Sequence, residues 1–389
     1  MAYRILKLNS ISVRGLDRLP RERYEVASAL SDPDAVLLRS ADMHSIDIPA
    51  SVIAVARAGA GTNNIPVAKL SKRGVPVFNA PGANANAVKE LVIAGLFLAA
   101  RNICQAWDYA RKLQGSDEEI DVAVEQGKKK FVGYELPGRT LGVIGLGAVG
   151  VEVANAAHLL GMRVLGFDPQ ITVQRAWQLS SGVEQALSLD DLFARCDMVT
   201  VHVPLIDATR GLVNAARIRL FKDRGVVLNF SRAGIVDQPA VVEALNAGKL
   251  SAYICDFPTN LLKEHPQVIA LPHLGASTGE AEENCAIMVA DTLRDFLENG
   301  NIRHSVNFPE VVLARTTNST RLAISNENVP NMVGQISTAL ASARLNIADL
   351  LNKSRGELAY TLIDVDGQVP PSVTEQLRKI EGVLTVRAL

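Results

Sequence analysis

The tightest constraint in the sequence is the run Leu141-Gly-Val-Ile-Gly-Leu-Gly-Ala-Val-Gly150, an apolar strand pattern that passes directly into a glycine-rich turn and then a helical segment, Val151 to Leu160. Gly145 suits a tight turn, Gly147 lets main chain approach a pyrophosphate, and Gly150 lets the new helix pack on its strand. Ala148 and Val149 lie at the helix start, where free N–H groups favour phosphate. The next strand, Met162 to Phe167, ends at Asp168, an acid placed for the hydroxyls of an adenosine ribose. An acid there favours NAD over NADP, because a 2′-phosphate would meet like charge. A glycine motif alone would be weak evidence. Strand, helix, second strand and terminal acid together predict a dinucleotide-binding βαβ unit.

Around that unit the chain of 389 residues is too long for one core and predicts two or three domains. Hydrophobic residues make up 48% and charged residues 21%, with a net charge of -1, so the balance argues for neither nucleic acid nor an anionic membrane as partner. The opening residues, Ala2-Tyr-Arg-Ile-Leu-Lys7, carry no apolar secretory core, and the longest apolar run, Leu91 to Ala100, is too short for a bilayer. A cytoplasmic enzyme is expected. Cys104, Cys196, Cys255 and Cys285 are widely spaced with no CxxC, which predicts no metal site, no disulfide framework and reduced core thiols.

Residues 3 to about 80 alternate short strands and helices, with strands at Arg4-Ile-Leu-Lys-Leu8, Ala35-Val-Leu-Leu-Arg39, Val52-Ile-Ala-Val-Ala56 and Val75-Pro-Val-Phe78. That rhythm predicts a small parallel sheet. Arg39 and Arg57 close two of these strands, the second followed by Ala58-Gly-Ala-Gly-Thr-Asn-Asn64. Ligands collect at the carboxyl ends of parallel strands, so arginine beside a glycine loop there marks an anion site. An apolar helix is predicted from about Ala87 to Cys104, then a solvated connection from Gln114 to Lys130. Beyond the cradle, strands at Met198 to Val203, Val226 to Asn229 and Ala252 to Asp256, with a helix at Gln238 to Ala247, extend a doubly wound sheet. A long helix from about Thr278 to Glu298 follows. From residue 318 to 389 the order is strand, helix, strand, strand, helix, strand, a ferredoxin-like βαββαβ unit without a catalytic set, which points to regulation or assembly.

Two strand ends carry chemistry. Arg232, in Asn229-Phe-Ser-Arg-Ala-Gly-Ile-Val-Asp237, offers a planar, permanently charged fork suited to an α-keto or α-hydroxy carboxylate. His273, in Pro272-His-Leu-Gly-Ala-Ser-Thr278, follows the short strand Val268 to Leu271. Removing a hydride from a hydroxy carbon needs a base for the hydroxyl proton, and histidine has the right range.

The cradle, His202-Val-Pro-Leu205 with Thr209-Arg-Gly-Leu-Val-Asn214, the Asn229 to Asp237 run and Pro272-His-Leu-Gly275 together resemble the D-isomer-specific 2-hydroxyacid dehydrogenases over roughly residues 1 to 310. The resemblance implies an α/β protein of two Rossmann-like doubly wound parallel-sheet domains plus a C-terminal ferredoxin-like ACT domain. It implies a substrate domain of residues 1–89 with a return segment 281–310, an NAD-binding domain of 90–280 and an ACT-like domain of 318–389, with the active site in the cleft. It implies NAD on Gly145, Gly147, Ala148, Val149, Gly150, Asp168, His202, Pro204, Thr209, Ser231 and Gly275, with Asp256 near the nicotinamide carboxamide. Arg232 would hold the substrate carboxylate, with Arg39, Arg57 and the main chain of Ala60 and Gly61 also on substrate, and His273 as acid/base. One position departs. The family places a glutamate five residues after the aspartate to partner the histidine, and here that position is Leu261; Glu264 and Glu280 are the candidates to replace it.

Relatives of this fold act on glyoxylate, hydroxypyruvate and other small hydroxy acids, and some are NAD-sensing binding proteins that keep the same cradle. The ACT-like unit argues against a simple reductase. Similar ACT domains bind L-serine between paired domains, and Asn326, Asn328 and Asn346 stand where such contacts are found, Asn326 replacing a histidine that responsive relatives can carry. The family implies a homodimer or homotetramer.

Overall fold

The computed structural model describes residues 2–389. Contacts divide the chain into two compact units, one of the segment up to Asn84 together with Gly279–Leu389, the other of Ala85–Thr278.

The first unit holds a five-stranded parallel sheet of β1 (Tyr3–Lys7), β2 (Tyr24–Ala27), β3 (Ala35–Leu38), β4 (Ala54–Arg57) and β5 (Val77–Phe78), in the order β2-β1-β3-β4-β5. β3 is buried at every position, as expected of a strand covered on both faces. β2 had no counterpart in the expected strands, because Tyr24-Glu-Val-Ala27 is too short to display an alternation. One face of the sheet packs on the helix Gly279–Asn299 through Phe78, Val289, Leu293 and Phe296. The other buries Val36, Leu38, Val55, Leu70 and Val77.

The second unit holds β6 (Thr140–Ile144), β7 (Arg163–Phe167), β8 (Val183–Gln185), β9 (Met198–Val201), β10 (Gly225–Asn229), β11 (Leu250–Cys255) and β12 (Val268–Ala270). They form one parallel sheet in the order β12-β11-β10-β9-β6-β7-β8. The chain runs outward from β6 to β8, then returns to β9 on the other side. Such a reversal opens a crevice at the carboxyl ends of the two central strands, where nucleotides bind in doubly wound sheets. The expected helix over Ala87 to Cys104 is two helices, Ala85–Arg101 and Ile103–Ala110, because Asn102 between them takes a left-handed φ of 51°. The expected solvated connection is a helix at Asp117–Gly127. Its reason was legible: Ser116 Oγ accepts from Glu119 N and Glu119 Oε2 accepts from Ser116 N, a reciprocal cap with three acids in the first turn.

The C-terminal sheet, β13 (Ser319–Glu327), β14 (Ile347–Arg355), β15 (Leu358–Asp366) and β16 (Val383–Ala388), is antiparallel with order β14-β15-β13-β16, as βαββαβ connectivity requires. Helices Met332–Ser342 and Pro371–Arg378 pack on one face around Leu322, Ile324, Ile336, Leu340 and Ile363. From the opposite face Ala323, Tyr360 and Leu362 join the core of the first sheet. The last carbonyls of a helix lack internal partners. Here Arg387 donates to Phe296 O and Leu297 O, Arg315 to Glu298 O, Arg321 to Asn299 O and Tyr360 Oη to Gly300 O. These donors fasten the C-terminal sheet to the end of the helix Gly279–Asn299.

Candidate active site

β6 is buried at every residue and ends at Gly145, whose φ of +89° is one that side chains resist. The next helix, Ala148–Leu159, starts from Gly147 with no side-chain cap, so its first N–H groups are open to a ligand. A Cβ on residue 150 would sit 1.8 Å from Gly145 O, whereas one on residue 147 would meet nothing within 4 Å. The helix is thus tight against its turn while the turn's outer side is open, which fits a pyrophosphate. Asp168 braces this turn: Oδ2 accepts from Leu146 N at 2.9 Å and Oδ1 from Gln170 N at 2.9 Å.

Along the same edge, His202 follows β9, its N–H donating to Ile144 O at 2.7 Å and its Nε2 lying 3.0 Å from Thr200 Oγ1. Burial pushes its pKa down to about 3, so the ring is neutral. Thr209 closes the turn after Pro204, its hydroxyl donating to Pro204 O and accepting from Ile206 N. After β10, the buried Asn229 spans its own turn, accepting from Ser231 N at 3.1 Å and donating to Arg232 O at 3.0 Å. Ser231 Oγ donates to Val201 O at 2.7 Å, tying this turn to β9. Arg232 is exposed, with Nη1 donating to Ser231 O at 2.6 Å.

Asp256 directly follows β11 and is only 1% exposed. Its Oδ2 accepts from Gly275 N at 3.1 Å, while buried Oδ1 has no partner among the described residues. Burial raises its pKa, against the pull of the Gly275 N–H and of the charges on His273 and Arg232. Both groups therefore lie within electrostatic reach of one carboxylate. A buried carboxylate oxygen without a donor is costly, and the amide of a nicotinamide would supply one. The residues present fit a dinucleotide.

His273 follows β12, its N–H donating to Asp256 O at 3.1 Å and its ring edge-on to Phe257 at 5.3 Å between centroids. Among the described residues its imidazole makes no hydrogen bond. Leu261 is 47% exposed, and Glu264 is exposed with its ion pair to Lys263 at 3.9 Å. Glu280 lies in the first turn of the helix Gly279–Asn299, in the other unit.

In that other unit, Arg39 and Arg57 stand at the carboxyl ends of neighbouring strands β3 and β4. A Cβ on Gly59 would lie 2.6 Å from Arg57 Nη1, so glycine there makes room for the guanidinium. Ala60 O accepts from Asn79 Nδ2 at 2.5 Å, which orients the loop carrying Ala60 and Gly61. Two residues not foreseen hold the Arg39 turn: Asn9 Oδ1 accepts from Arg39 N and Ala41 N, and Asn64 Nδ2 donates to Arg39 O and Ala41 O. Asn64 had a signal, being the end of the glycine loop; Asn9 had none.

In the C-terminal sheet, Asn328 Nδ2 donates to Gly356 O and Asn346 Nδ2 to Asp366 Oδ2. Asn326 is buried and donates to Glu327 O, leaving its Oδ1 without a partner among the described residues.

The profile for the D-isomer specific 2-hydroxyacid dehydrogenase NAD binding domain matches residues 93–275, inside the second unit. The D-3-phosphoglycerate dehydrogenase of Haemophilus influenzae is 32% identical over 381 residues, covering 94% of this chain and 88% of that protein. The chain belongs to the D-isomer-specific 2-hydroxyacid dehydrogenases. The enzyme of the same name from Archaeoglobus fulgidus is 35% identical over 319 residues, 79% of this chain and 57% of that longer protein. The crystal structure of NAD+-bound 3-phosphoglycerate dehydrogenase from Entamoeba histolytica has the same dehydrogenase fold, with a TM-score of 0.61 at 24% identity over 79% of this chain and 99% of that one. The dinucleotide of this dehydrogenase is NAD. Among the described residues no helix is long and apolar enough to cross a membrane.

Proposed function

We propose that this dehydrogenase oxidises D-3-phosphoglycerate to 3-phosphohydroxypyruvate, the first step of L-serine biosynthesis, in the cytoplasm. The observation that carries the reading is Arg232 and His273 at the carboxyl ends of β10 and β12, on either side of the strand that runs into the half-satisfied Asp256. Arg232 grips the substrate carboxylate with two parallel N–H groups. His273 takes the hydroxyl proton as the bond to the hydroxy carbon's hydrogen breaks. NAD supplies the hydride acceptor, held by the glycine turn, Asp168 and Asp256. Arg39 and Arg57, with the main chain of Ala60 and Gly61, provide donors for the substrate's anionic groups. The residues up to 89 with 281–310 form the substrate domain, and 90–280 the NAD domain.

The reading also makes the C-terminal sheet an ACT-like regulatory domain of a homodimer or homotetramer, with L-serine as effector. The unpartnered Asn326 Oδ1 supports a polar ligand there. Serine inhibits only if it favours the less active state.

NADH formation with D-3-phosphoglycerate, D-glycerate and other 2-hydroxy acids tests the function, D-3-phosphoglycerate giving the highest kcat/KM. A preference for glyoxylate or hydroxypyruvate in the reverse direction would make it a reductase. No turnover of any acid at high protein concentration would make it an NAD-sensing binder.

A further inference from the structure

Arg39 is not simply a strand-end cation. Its turn is gripped from two sides by Asn9 and Asn64, so the side chain leaves from a fixed main chain. Its Nη2 lies 2.6 Å from Glu282 Oε1, in the first turn of the helix Gly279–Asn299, with the two side chains 40% and 44% exposed. That is the distance of a short charge-assisted hydrogen bond. The nearby Cys285 thiol registers the same cluster: burial raises it, Arg39 and Arg57 pull it down, and Glu282 pushes it up. Arg39, Arg57 and Glu282 thus all lie within electrostatic reach of one buried thiol.

We propose that Glu282 sets how strongly the substrate site prefers phosphorylated over unphosphorylated hydroxy acids, by holding the Arg39 guanidinium until a substrate anion displaces it. This rests on the reading of Arg39 as a substrate residue. The pair is half-exposed, so its own strength is small and an incoming anion can break it. The carboxylate that has been displaced stays beside the site, where it opposes a phosphate dianion more than a carboxylate monoanion. Glu282 thus lowers affinity for phosphorylated acids in general and keeps Arg39 extended toward the strand edge when no substrate is bound.

Glu282→Gln retains a hydrogen-bond acceptor and removes the charge. The experiment compares kcat/KM for D-3-phosphoglycerate and D-glycerate, which differ only by the phosphate. The ratio should rise about 3- to 10-fold in Glu282→Gln, through KM of the phosphorylated acid, with KM for NAD unchanged. Glu283→Gln removes the same charge one residue on, where it pairs with Arg14 at 3.2 Å, and should leave the ratio unchanged. An unchanged ratio in Glu282→Gln, or an equal rise in Glu283→Gln, overturns the proposal. Inorganic phosphate as inhibitor of whichever hydroxy acid is turned over gives a second readout, with inhibition tighter in Glu282→Gln. If wild type does not use D-3-phosphoglycerate, the substrate assignment falls, and the phosphate inhibition constants still decide the role of Glu282.

Discussion

Asp256, just past β11, and Asp364, within β15, are both buried aspartates, and their surroundings are opposite. Asp364, on β15, is 0% exposed and receives Arg321 Nε and Nη2 at 2.7 Å each, with Thr316 N at 2.8 Å. Burial works to raise its pKa, but the hydrogen bonds from Arg321 and Thr316 and the charge of Arg321 outweigh it, and the carboxyl is held below its usual value. Asp256 has one main-chain donor and an oxygen with none, and its carboxyl is held above. The fold completes one carboxylate and leaves the other incomplete. A complete buried pair holds structure, and an incomplete one in a crevice is a place for a ligand.

The largest test of that contrast is Arg321→Met. Arg321 also donates to Asn299 O, Leu313 O and Ala314 O, so its loss leaves Asp364 unpaired and three carbonyls short of donors. Unfolding stability should fall by about 3–5 kcal/mol. Asp256→Asn should change stability by less than about 1 kcal/mol, since it removes a buried charge held by a single hydrogen bond and leaves an oxygen to accept from Gly275 N. Thermal midpoints of the two variants side by side check this, and similar losses would erase the distinction. Acid sharpens it. Asp364, with a depressed pKa, contributes stability that is present above the unfolded carboxyl's pKa and lost as pH falls through its folded value. Asp256, with a raised pKa, costs stability as pH rises through its folded value.

Catalysis gives the next effect. If His273 is the base proposed above, His273→Ala should lower kcat by roughly 100-fold while NAD affinity stays near wild type. Near-normal kcat would remove His273 as the base. The structure offers its imidazole no carboxylate hydrogen bond within the unit and places Asp256 close enough to feel its charge. The carboxylate within electrostatic reach of His273 is therefore Asp256, the residue proposed above to meet the nicotinamide amide.

That contrast also marks what the sequence could convey. The cradle, Asp168, the strand-end positions of Arg232 and His273 and the βαββαβ order were legible because each is a local pattern with its own spacing. Long-range pairings were not. Nothing in the chain announces that Arg321 on β13 meets Asp364 on β15, 43 residues on, or that Glu282 reaches back 243 residues to Arg39. The Ser116 to Glu119 cap was present in the sequence but hidden by a segment without apolar periodicity.

Cofactor binding gives a smaller effect. If Asp256 Oδ1 awaits an amide donor, Asp256→Asn should weaken NAD by about 10-fold, the scale of a hydrogen bond to a charged group. In wild type, NAD affinity should fall as pH drops through the raised Asp256 pKa, because the protonated form loses acceptor strength. The Asn variant should not follow that pH dependence, and calorimetric titration across acidic pH would read both.

The last expected effect, of the same size, lies at Asp168, which is neither of the two extremes. Its oxygens each accept a main-chain N–H, from Leu146 and from Gln170, yet a carboxylate oxygen can accept more than one donor. It therefore braces the glycine turn and still has capacity for ribose hydroxyls. Asp168→Ala removes the brace, the ribose acceptors and the repulsion of a 2′-phosphate together. NAD should lose affinity while NADP loses less or gains, so the ratio of kcat/KM for NAD over NADP falls by about 10-fold, as expected for one charged hydrogen-bonding group. Asp168→Asn separates the contributions in part: its one amide oxygen can still accept from Leu146 N, so the turn keeps that brace, while the charge and the acceptor for Gln170 N are lost. If the Asn variant narrows the ratio as much as Ala does, charge rather than brace sets the preference. A wild-type ratio near one would remove Asp168 from cofactor selection altogether.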